Sequence, residues 1–90
     1  MTEHTLKTHP NYWDAVKSGE KTFEIRLDDR GFQKGDTLVL QRAFKNSTTN
    51  KWQGDDENEI ECKISYILTG GQFGIEPGYV ILALQEIKCS

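Results

Sequence analysis

The sequence predicts a mainly β fold of the α+β type, in which a five- to six-stranded, mostly antiparallel barrel is closed at one end by a short helix. Alternating apolar and polar segments recur along the 90-residue chain at spacings typical of hairpins. One helical segment follows the first of them, and Gly- and Asp-containing turns separate the others. This order fits a small barrel. The length predicts a single domain over residues 1–90 with a compact core.

The first predicted elements are a strand over residues 4–8 and a helix of about eight or nine residues, which alone would be marginally stable. Pro10 suits the first helical turn, because the N–H that proline lacks has no helical partner there. The aromatic residues Tyr12 and Trp13 are expected to dock the helix on the sheet, with Trp13 in the core. Gly19 can end the helix because it adopts a positive φ readily.

The next strand, residues 21–28, alternates most clearly. Phe23, Ile25 and Leu27 are predicted to point into the core, and the polar residues between them the other way. Side chains on one face of a strand lie about 7 Å apart. Such a polar row can bind a small polar ligand or a nucleotide, or it can be an ordinary solvated face with an ion pair. The row consists of Thr22, Glu24, Arg26 and Asp28.

Three further strands complete the predicted fold. They cover residues 37–44, 59–68 and 79–85, and the nearly unbroken apolar run of the last one predicts burial on both sides. The polar segment 45–56 is predicted to be an exposed, mobile hairpin loop. The Gly-rich segment 69–78 is predicted to be a flexible connection between two strands.

The charge of the chain limits its partners. Eleven Lys and Arg residues stand against 14 Asp and Glu residues, for a net charge of −3. Proteins that bind nucleic acid mainly through phosphates usually have a basic excess. Here the acidic excess follows residue 35, whereas the charges of residues 1–35 balance. A local basic patch in the N-terminal part is therefore compatible with the sequence, but tight non-specific binding to a duplex is not expected.

No segment suggests a signal peptide, a lipid anchor or a membrane span, so a cytoplasmic protein without a membrane partner is expected. The cysteines lack the spacing of a zinc site. Cys62 is predicted to be a small core residue and Cys89 an exposed thiol; a disulfide between them stays open, although a cytoplasmic setting argues against it. His4 and His9 have no partner at metal-binding spacing, and neither a metal nor a cofactor is expected.

A short motif connects the end of the helix to the strand that follows it. The segment 19–26 is Gly-Glu-Lys-Thr-Phe-Glu-Ile-Arg. It resembles the Gly-x-Lys-x-x-Glu-x-Arg signature of ASCH domains, a branch of the PUA-like barrels. Other segments resemble a small bacterial and phage ASCH-like family of uncharacterised function, so that the similarity covers nearly the whole chain. These segments are residues 6–7, 32–36, 67–74 and 78–80.

The resemblance implies RNA binding in a cleft between the helix and the barrel, facing the polar side of the strand over residues 21–28. An arginine offers a planar fork for a phosphate or a base edge, and a carboxylate can orient that arginine or accept from a base amine. Glu24 and Arg26 could instead only stabilise the fold, and Gly19 could be only a helix cap. The residues at the signature positions are Gly19, Lys21, Glu24 and Arg26.

Residues outside the signature could contribute to the same cleft. Lys7, on a neighbouring strand, could add positive charge or be an ordinary solvated lysine. Gln72 and Phe73 could border the cleft, where an aromatic ring can stack on a base. Trp52 is another candidate for an exposed aromatic residue. The glycines of residues 70–74 could cradle a phosphate, but the segment fits no phosphate-binding motif because a strand follows it.

Two other functions stay open. One ASCH-like branch removes the acyl group from acetylated cytidine with a lysine, a threonine nucleophile and a glutamate, and resemblance to it implies a metal-independent amidohydrolase in which Lys21 matches the lysine. Glu24 stands in the nucleophile's position, so Thr22 would have to act in a rearranged site. The other alternative is a protein-interaction domain without catalysis. The sequence favours a binding module for RNA, a nucleoside or a nucleotide, and it contains no signal of oligomeric state.

Overall fold

The computed structural model describes the backbone of residues 1–89 and the side chains of residues 1–85. No helix in this part of the chain is long and apolar enough to cross a membrane. The chain is mainly β with one short helix, as predicted. The described elements, in chain order, are β1 (Glu3–Thr8), α1 (Pro10–Ser18), β2 (Phe23–Leu27), β3 (Thr37–Lys45), β4 (Trp52–Thr69) and β5 (Tyr79–Cys89).

The five strands form one mixed sheet in the order β1-β3-β4-β5-β2. β1 runs parallel to β3, and the other neighbouring pairs are antiparallel. Among the described residues no backbone ladder joins the edge strands β1 and β2, so the predicted closed barrel is not confirmed. Arginine side chains bridge this gap: Arg26 donates to the Lys7 carbonyl at 3.0 Å, and Arg30 donates to the Thr5 carbonyl at 3.0 Å.

The hydrophobic core lies between the sheet and α1. Trp13 is buried there, and its indole N–H donates to the Leu40 carbonyl at 2.8 Å. That bond satisfies the one donor of the indole and fixes the helix over β3. The predicted core positions of Trp13 and Cys62 are confirmed. The side chain of Cys89 lies outside the described residues. The core consists of Leu6, Trp13, Val16, Phe32, Leu38, Leu40, Ile60, Cys62, Ile64, Val80 and Leu82.

The helix begins and ends where the sequence predicts. Pro10 is its first residue, and the Nδ1 atom of His9 accepts a hydrogen bond from the Asn11 N–H at 3.3 Å as the N-cap. Gly19 follows the helix with φ of +85°, a conformation that disfavours residues with a Cβ. The expectation for Tyr12 is wrong, because this side chain is exposed and does not dock on the sheet.

The alternation of β2 is as predicted, but its two faces are exchanged. Phe23, Ile25 and Leu27 are 41%, 52% and 52% exposed, whereas Glu24 is buried. Glu24 lies opposite the buried Leu82 of β5 and shares its side of the sheet. A carboxylate can be buried when cationic groups pair with it, and two such groups are present. The apolar row of β2 therefore lies on the outer face of the sheet.

Two further strand predictions need correction. β5 is not buried on both sides: Val80 and Leu82 are buried, but Ile81 between them is partly exposed on the outer face. β4 starts at Trp52, which is exposed, so only residues 46–51 form the hairpin loop. The first half of β4 is polar on both faces. It therefore lacks the apolar alternation by which strands are identified.

The Gly-rich connection between β4 and β5 is closed by backbone hydrogen bonds. The Gly70 N–H donates to the Tyr79 carbonyl at 2.7 Å, and the Gly71 N–H donates to the Ile75 carbonyl at 2.7 Å. A Cβ at Gly70 would collide with the Glu76 carbonyl. This close approach of two backbone segments requires glycine at position 70.

Candidate functional site

An open concavity of about 490 Å³ lies between β2, the end of β1 and the start of α1, and we call it the cleft. Its position follows from the topology. β1 and β2 are the two edges of the sheet, and no ladder fills the space between them in the described chain. The cleft is lined by Lys7, Thr8, His9, Tyr12, Lys21, Phe23, Glu24, Ile25 and Arg26.

Glu24 is the centre of the polar side of the cleft. Its Oε1 atom lies 2.6 Å from Lys21 Nζ, and its Oε2 atom accepts a hydrogen bond from Arg26 Nε at 3.0 Å. The Glu24 side chain is only 5% exposed, whereas those of Lys21 and Arg26 are 17% and 25% exposed. Charge-assisted bonds of this kind are strong and directional. Glu24 therefore fixes both cations, and it is the cations that face the opening.

Arg26 reaches across the gap between the two edge strands. Its Nη2 atom donates to the Lys7 carbonyl at 3.0 Å and to Thr8 Oγ1 at 3.2 Å. Together with the Nε bond to Glu24, whose Oε2 atom also lies 2.9 Å from Nη2, these contacts engage the Nε and Nη2 atoms of the guanidinium. Its Nη1 atom has no hydrogen-bond partner in the described part of the chain. Because a guanidinium carries five N–H donors in one plane, Arg26 retains donors for a ligand.

Lys21 lies between two exposed aromatic rings. Its Nζ atom is 5.3 Å from the centroid of the Tyr12 ring and 4.8 Å from that of the Phe23 ring. It also donates to the Phe23 carbonyl at 2.5 Å. An ammonium group over a ring face is attracted by the π electrons. The cleft thus combines a held positive charge with two ring faces that reach solvent.

A second aromatic group borders the cleft at the start of α1. The His9 ring lies 5.5 Å from the Tyr12 ring and 6.0 Å from the Trp52 ring. Trp52, at the beginning of β4, is exposed. The His9 ring therefore lies near two exposed rings, of which that of Tyr12 lines the cleft. Flat apolar faces of this kind are what a planar heterocycle stacks on.

Of the predicted ligand-binding residues, the structure brings Lys7, Lys21, Glu24 and Arg26 together in the cleft. Thr22 instead lines a second hollow of about 260 Å³ at the end of α1. Gln72 donates to the carbonyl of its neighbour Thr69 at 2.8 Å, and Phe73 is 83% exposed; neither lines the cleft. The expectation that these last two residues border it is therefore wrong.

Five lining residues were not predicted. The alternation of β2 predicts that Phe23 and Ile25 belong to the core, whereas the structure has the two faces of β2 exchanged. The other three come from the junction of β1 and α1, where the alternation of β1 and the helical spacing of α1 contain no signal that distinguishes a cleft from solvent. These five residues are Thr8, His9, Tyr12, Phe23 and Ile25.

The cleft is positively charged within an acidic chain. Its lining includes three cationic residues, Lys7, Lys21 and Arg26, but one acidic residue, Glu24. The whole chain has a net charge of −3. A concavity with excess positive charge attracts anions and concentrates them locally. These cationic residues all lie within residues 1–35, the part of the sequence that is compatible with a local basic patch.

A second buried carboxylate, Asp36, lies outside the cleft. It accepts hydrogen bonds from the Thr2 N–H and the Gln33 N–H, both at 3.1 Å, and lies 2.9 Å from the Nε2 atom of His4. The bond with His4, followed by those with the backbone, lowers the pKa of Asp36, against the opposing effect of burial. His4 therefore has a partner that lies 32 residues away along the chain, beyond any local spacing.

The open mixed sheet, the short helix and the positively charged cleft define a small, mainly β domain. From residue 3 to residue 84 the chain matches the family described as a domain of unknown function (DUF3850), and it belongs to this family. It is also similar to a protein of Escherichia phage P2 described as an uncharacterized 12.9 kDa protein in the GpA 3′ region. The two are 46% identical over 48 residues, which are 53% of this chain and 44% of the phage protein.

The chain thus matches less than half of the length of this phage relative. The ASCH resemblance is not confirmed by these similarities.

Proposed function

We propose that the protein is an ASCH-like module that binds RNA or a nucleotide in the cleft. The observation that carries this proposal is the presence, in one concavity, of excess positive charge and exposed aromatic rings. Arginine and lysine bind phosphates, and bases stack on aromatic side chains. The volume of about 490 Å³ is in the range of small-molecule sites, roughly 300–1,000 Å³.

The arrangement around Glu24 supports binding over a purely structural ion pair. Partial solvation lowers the desolvation cost of these cations, and it also leaves them accessible to a ligand. Here the carboxylate is covered, while Lys21 and Arg26 are partly exposed and held in place. Donors that are already fixed lose little conformational entropy when a ligand binds. Glu24 therefore acts as a positioning residue for the two cations.

The charge of the cleft favours a single nucleotide or a short single strand over a duplex. Three cationic side chains can neutralise only a few phosphates. For a single strand, each neutralised phosphate contributes about −0.7 to the slope of log K against log salt concentration. We therefore expect a slope of at most about −2, which is weak for a nucleic-acid-binding protein.

The proposal includes a barrel-like architecture and a cytoplasmic location. The bridges from Arg26 and Arg30 to carbonyls of β1 support the first, because they connect the two edges of the sheet through side chains. Cytoplasmic location is an expectation that accompanies RNA binding. It can be checked by locating a tagged copy of the chain in cell fractions.

The alternatives have less support. The amidohydrolase hypothesis would use the hydroxyl of Thr22, which lies outside the cleft, and Glu24 at the nucleophile's position is paired with two cations. The protein-interaction hypothesis draws on the exposed apolar row of Phe23, Ile25 and Leu27. It becomes the better explanation if neither RNA nor a nucleotide binds.

The test compares two arginines that both bind a carboxylate. Arg26→Ala removes the guanidinium of the cleft, whereas Arg42→Ala removes one that contacts Asp14 at 3.0 Å outside it. Binding of a fluorescein-labelled single-stranded RNA pool and of the four nucleoside monophosphates is measured at low salt, by fluorescence anisotropy and by NMR. We expect Arg26→Ala to weaken binding about 10-fold or more, because charge-assisted bonds are lost, and Arg42→Ala less than about twofold.

Two outcomes would contradict the proposal. One is the absence of binding by the wild-type protein at low salt. The other is an equal loss of affinity in both variants, since this would mean that overall charge, and not the cleft, determines binding. Circular dichroism verifies that both variants keep the β-rich spectrum of the wild type.

A further inference from the structure

One edge of β2 carries backbone groups that the sheet does not use. In an antiparallel pair, alternate residues bond to the neighbouring strand, and the residues between them point their N–H and C=O groups the other way. The Leu84 N–H donates to the Thr22 carbonyl at 2.9 Å, and the Asp28 N–H donates to the Gly78 carbonyl at 2.8 Å. Together with the register of the β2–β5 pair, these bonds show that the backbone N–H and C=O groups of the even-numbered residues of β2 point toward β5. The groups that point away from β5 are those of Phe23, Ile25 and Leu27.

Of these three residues, Ile25 alone has no hydrogen-bond partner for either outward group in the described part of the chain. The Phe23 carbonyl accepts from Lys21 Nζ at 2.5 Å, and the Leu27 carbonyl accepts from the Asp29 N–H at 3.0 Å. Ile25 lines the cleft, and Leu27 does not. Among the described residues of this edge, Ile25 is therefore the one that presents both an N–H donor and a C=O acceptor to the cleft.

We propose that this edge binds the Watson–Crick edge of one nucleobase, through the backbone N–H and C=O of Ile25. The inference rests on the proposed function and specifies how that site recognises its ligand. A donor beside an acceptor complements the Watson–Crick edge of each standard base, which presents an acceptor beside a donor. The strand fixes the two groups of Ile25, so little entropy is lost when they bind.

An extended peptide is the other kind of ligand that binds a free strand edge. The open edge is too short for it, because the carbonyls of Phe23 and Leu27 on either side of Ile25 are bonded within the chain. The surroundings also suit a nucleotide. The rings of Tyr12 and Phe23 offer stacking faces beside this edge, and Lys21, held between them, offers a charge for the phosphate.

Proline substitution tests the N–H of Ile25 directly. Ile25→Pro removes this donor without removing a ladder bond, and edge strands tolerate proline at such positions. Leu27→Pro is the matched control. The Leu27 N–H also points away from β5, but Leu27 does not line the cleft. The wild type and both variants are titrated with AMP, CMP, GMP and UMP at low salt.

We expect Ile25→Pro to weaken binding of the best nucleotide by about 3- to 10-fold, the effect of one neutral hydrogen bond. Leu27→Pro should weaken it less than about twofold, since it removes no group that faces the cleft. Equal affinity of all three folded proteins would overturn the inference, and so would an equal loss in the two proline variants.

A second measurement needs no variant. The wild-type protein is titrated with its best nucleotide and with the same nucleotide methylated at N1 of a purine or N3 of a pyrimidine. We expect the methylated form to bind about 10-fold more weakly, because the methyl group blocks the pairing edge, and we expect the ¹⁵N–¹H signal of Ile25 to shift more than that of Leu27. Equal binding of the two forms, or an unshifted Ile25 signal, overturns this inference and leaves the proposed function standing.

The remaining outcomes separate this inference from the proposed function. Binding of the RNA pool without binding of any of the four nucleotides overturns the recognition of a single base and leaves the RNA-binding module standing. A wild-type protein that binds neither overturns both proposals.

Discussion

Glu24 and Asp36 are equally buried, at 4% and 3% exposed, but their partners differ in kind. Asp36 accepts from two backbone N–H groups and contacts His4. Glu24 binds two cationic side chains that themselves reach the surface of the cleft. The two backbone N–H groups that bind Asp36 have no further hydrogen to donate, whereas Arg26 retains donors. Burial alone therefore does not separate a structural carboxylate from one that serves a binding site; the free donors of its partners do.

The two arrangements also arise differently from the sequence. Asp36 follows Gly35, whose φ of +94° closes the turn that brings the Gln33 N–H to the carboxylate. Glu24 has its partners at positions 21 and 26 of the same segment. Arg26 shares its face of β2, because residues two apart on a strand do so, whereas Lys21 precedes the strand. The first arrangement stabilises a turn, and the second aligns charges along a strand.

The largest expected effect concerns Asp36. Asp36→Ala leaves two backbone N–H groups and His4 without their acceptor, and we expect the free energy of unfolding to fall by about 3 kcal/mol in urea denaturation. Asp29→Ala, in an exposed ion pair, is the control and should change it by no more than about 0.5 kcal/mol. The nucleotide affinity of the folded Asp36→Ala variant should stay within about twofold of the wild type, since Asp36 is outside the cleft. A 10-fold loss of affinity in this variant would contradict the distinction between Asp36 as a structural carboxylate and Glu24 as the carboxylate of the binding site.

The next largest effect concerns Glu24. Glu24→Gln keeps the shape of the side chain but offers one oxygen to two cations, so Lys21 and Arg26 cannot both stay in place. We expect nucleotide affinity to fall about 3- to 10-fold, although the change makes the cleft more positive. Asp36→Asn is the matched control, with unchanged affinity. If Glu24→Gln instead raises the affinity, net charge matters more than orientation, and Glu24 is not a positioning residue.

The same comparison shows what the sequence can predict. Pro10 and Gly19 correctly predict the ends of α1, because both act through the conformation of their own backbone. The charged residues of the cleft that lie within one signature, Lys21, Glu24 and Arg26, are identified together for a similar reason. They lie within six consecutive residues of the chain, so a local pattern contains them.

Features that depend on distant elements could not be predicted. Alternation identifies the two faces of β2 but not which one lies on the core side of the sheet, so Phe23 and Ile25 are assigned to the wrong side. Thr8 and Tyr12 line the cleft because β1 and α1 lie beside β2 in the folded chain. The spacing of residues along the sequence does not predict which distant elements become neighbours. The polar first half of β4 is a strand only because β3 pairs with it.

The smallest expected effect is the pH dependence of the free energy of unfolding. Hydrogen bonds from His4 and from the backbone hold the pKa of Asp36 below its ordinary value. A carboxyl group with a lowered pKa in the folded state stabilises the fold above its ordinary pKa of about 4 and loses this stabilisation as the pH falls through the lower, folded pKa. The difference in unfolding free energy between the wild type and Asp36→Asn should therefore be constant near neutral pH and shrink below about pH 4.

Asp14 is the exposed counterpart that sharpens this test. Its pKa is also lowered, chiefly by the hydrogen bond from Arg42, but both side chains of this pair are exposed, so salt screens their attraction. We expect the difference between the wild type and Asp14→Asn to be the smaller one and to vanish in about 0.5 M NaCl, whereas that of Asp36→Asn persists. If salt abolishes both differences alike, the stabilisation at Asp36 comes from screened charge and not from buried hydrogen bonds, and its contrast with Glu24 loses its physical basis.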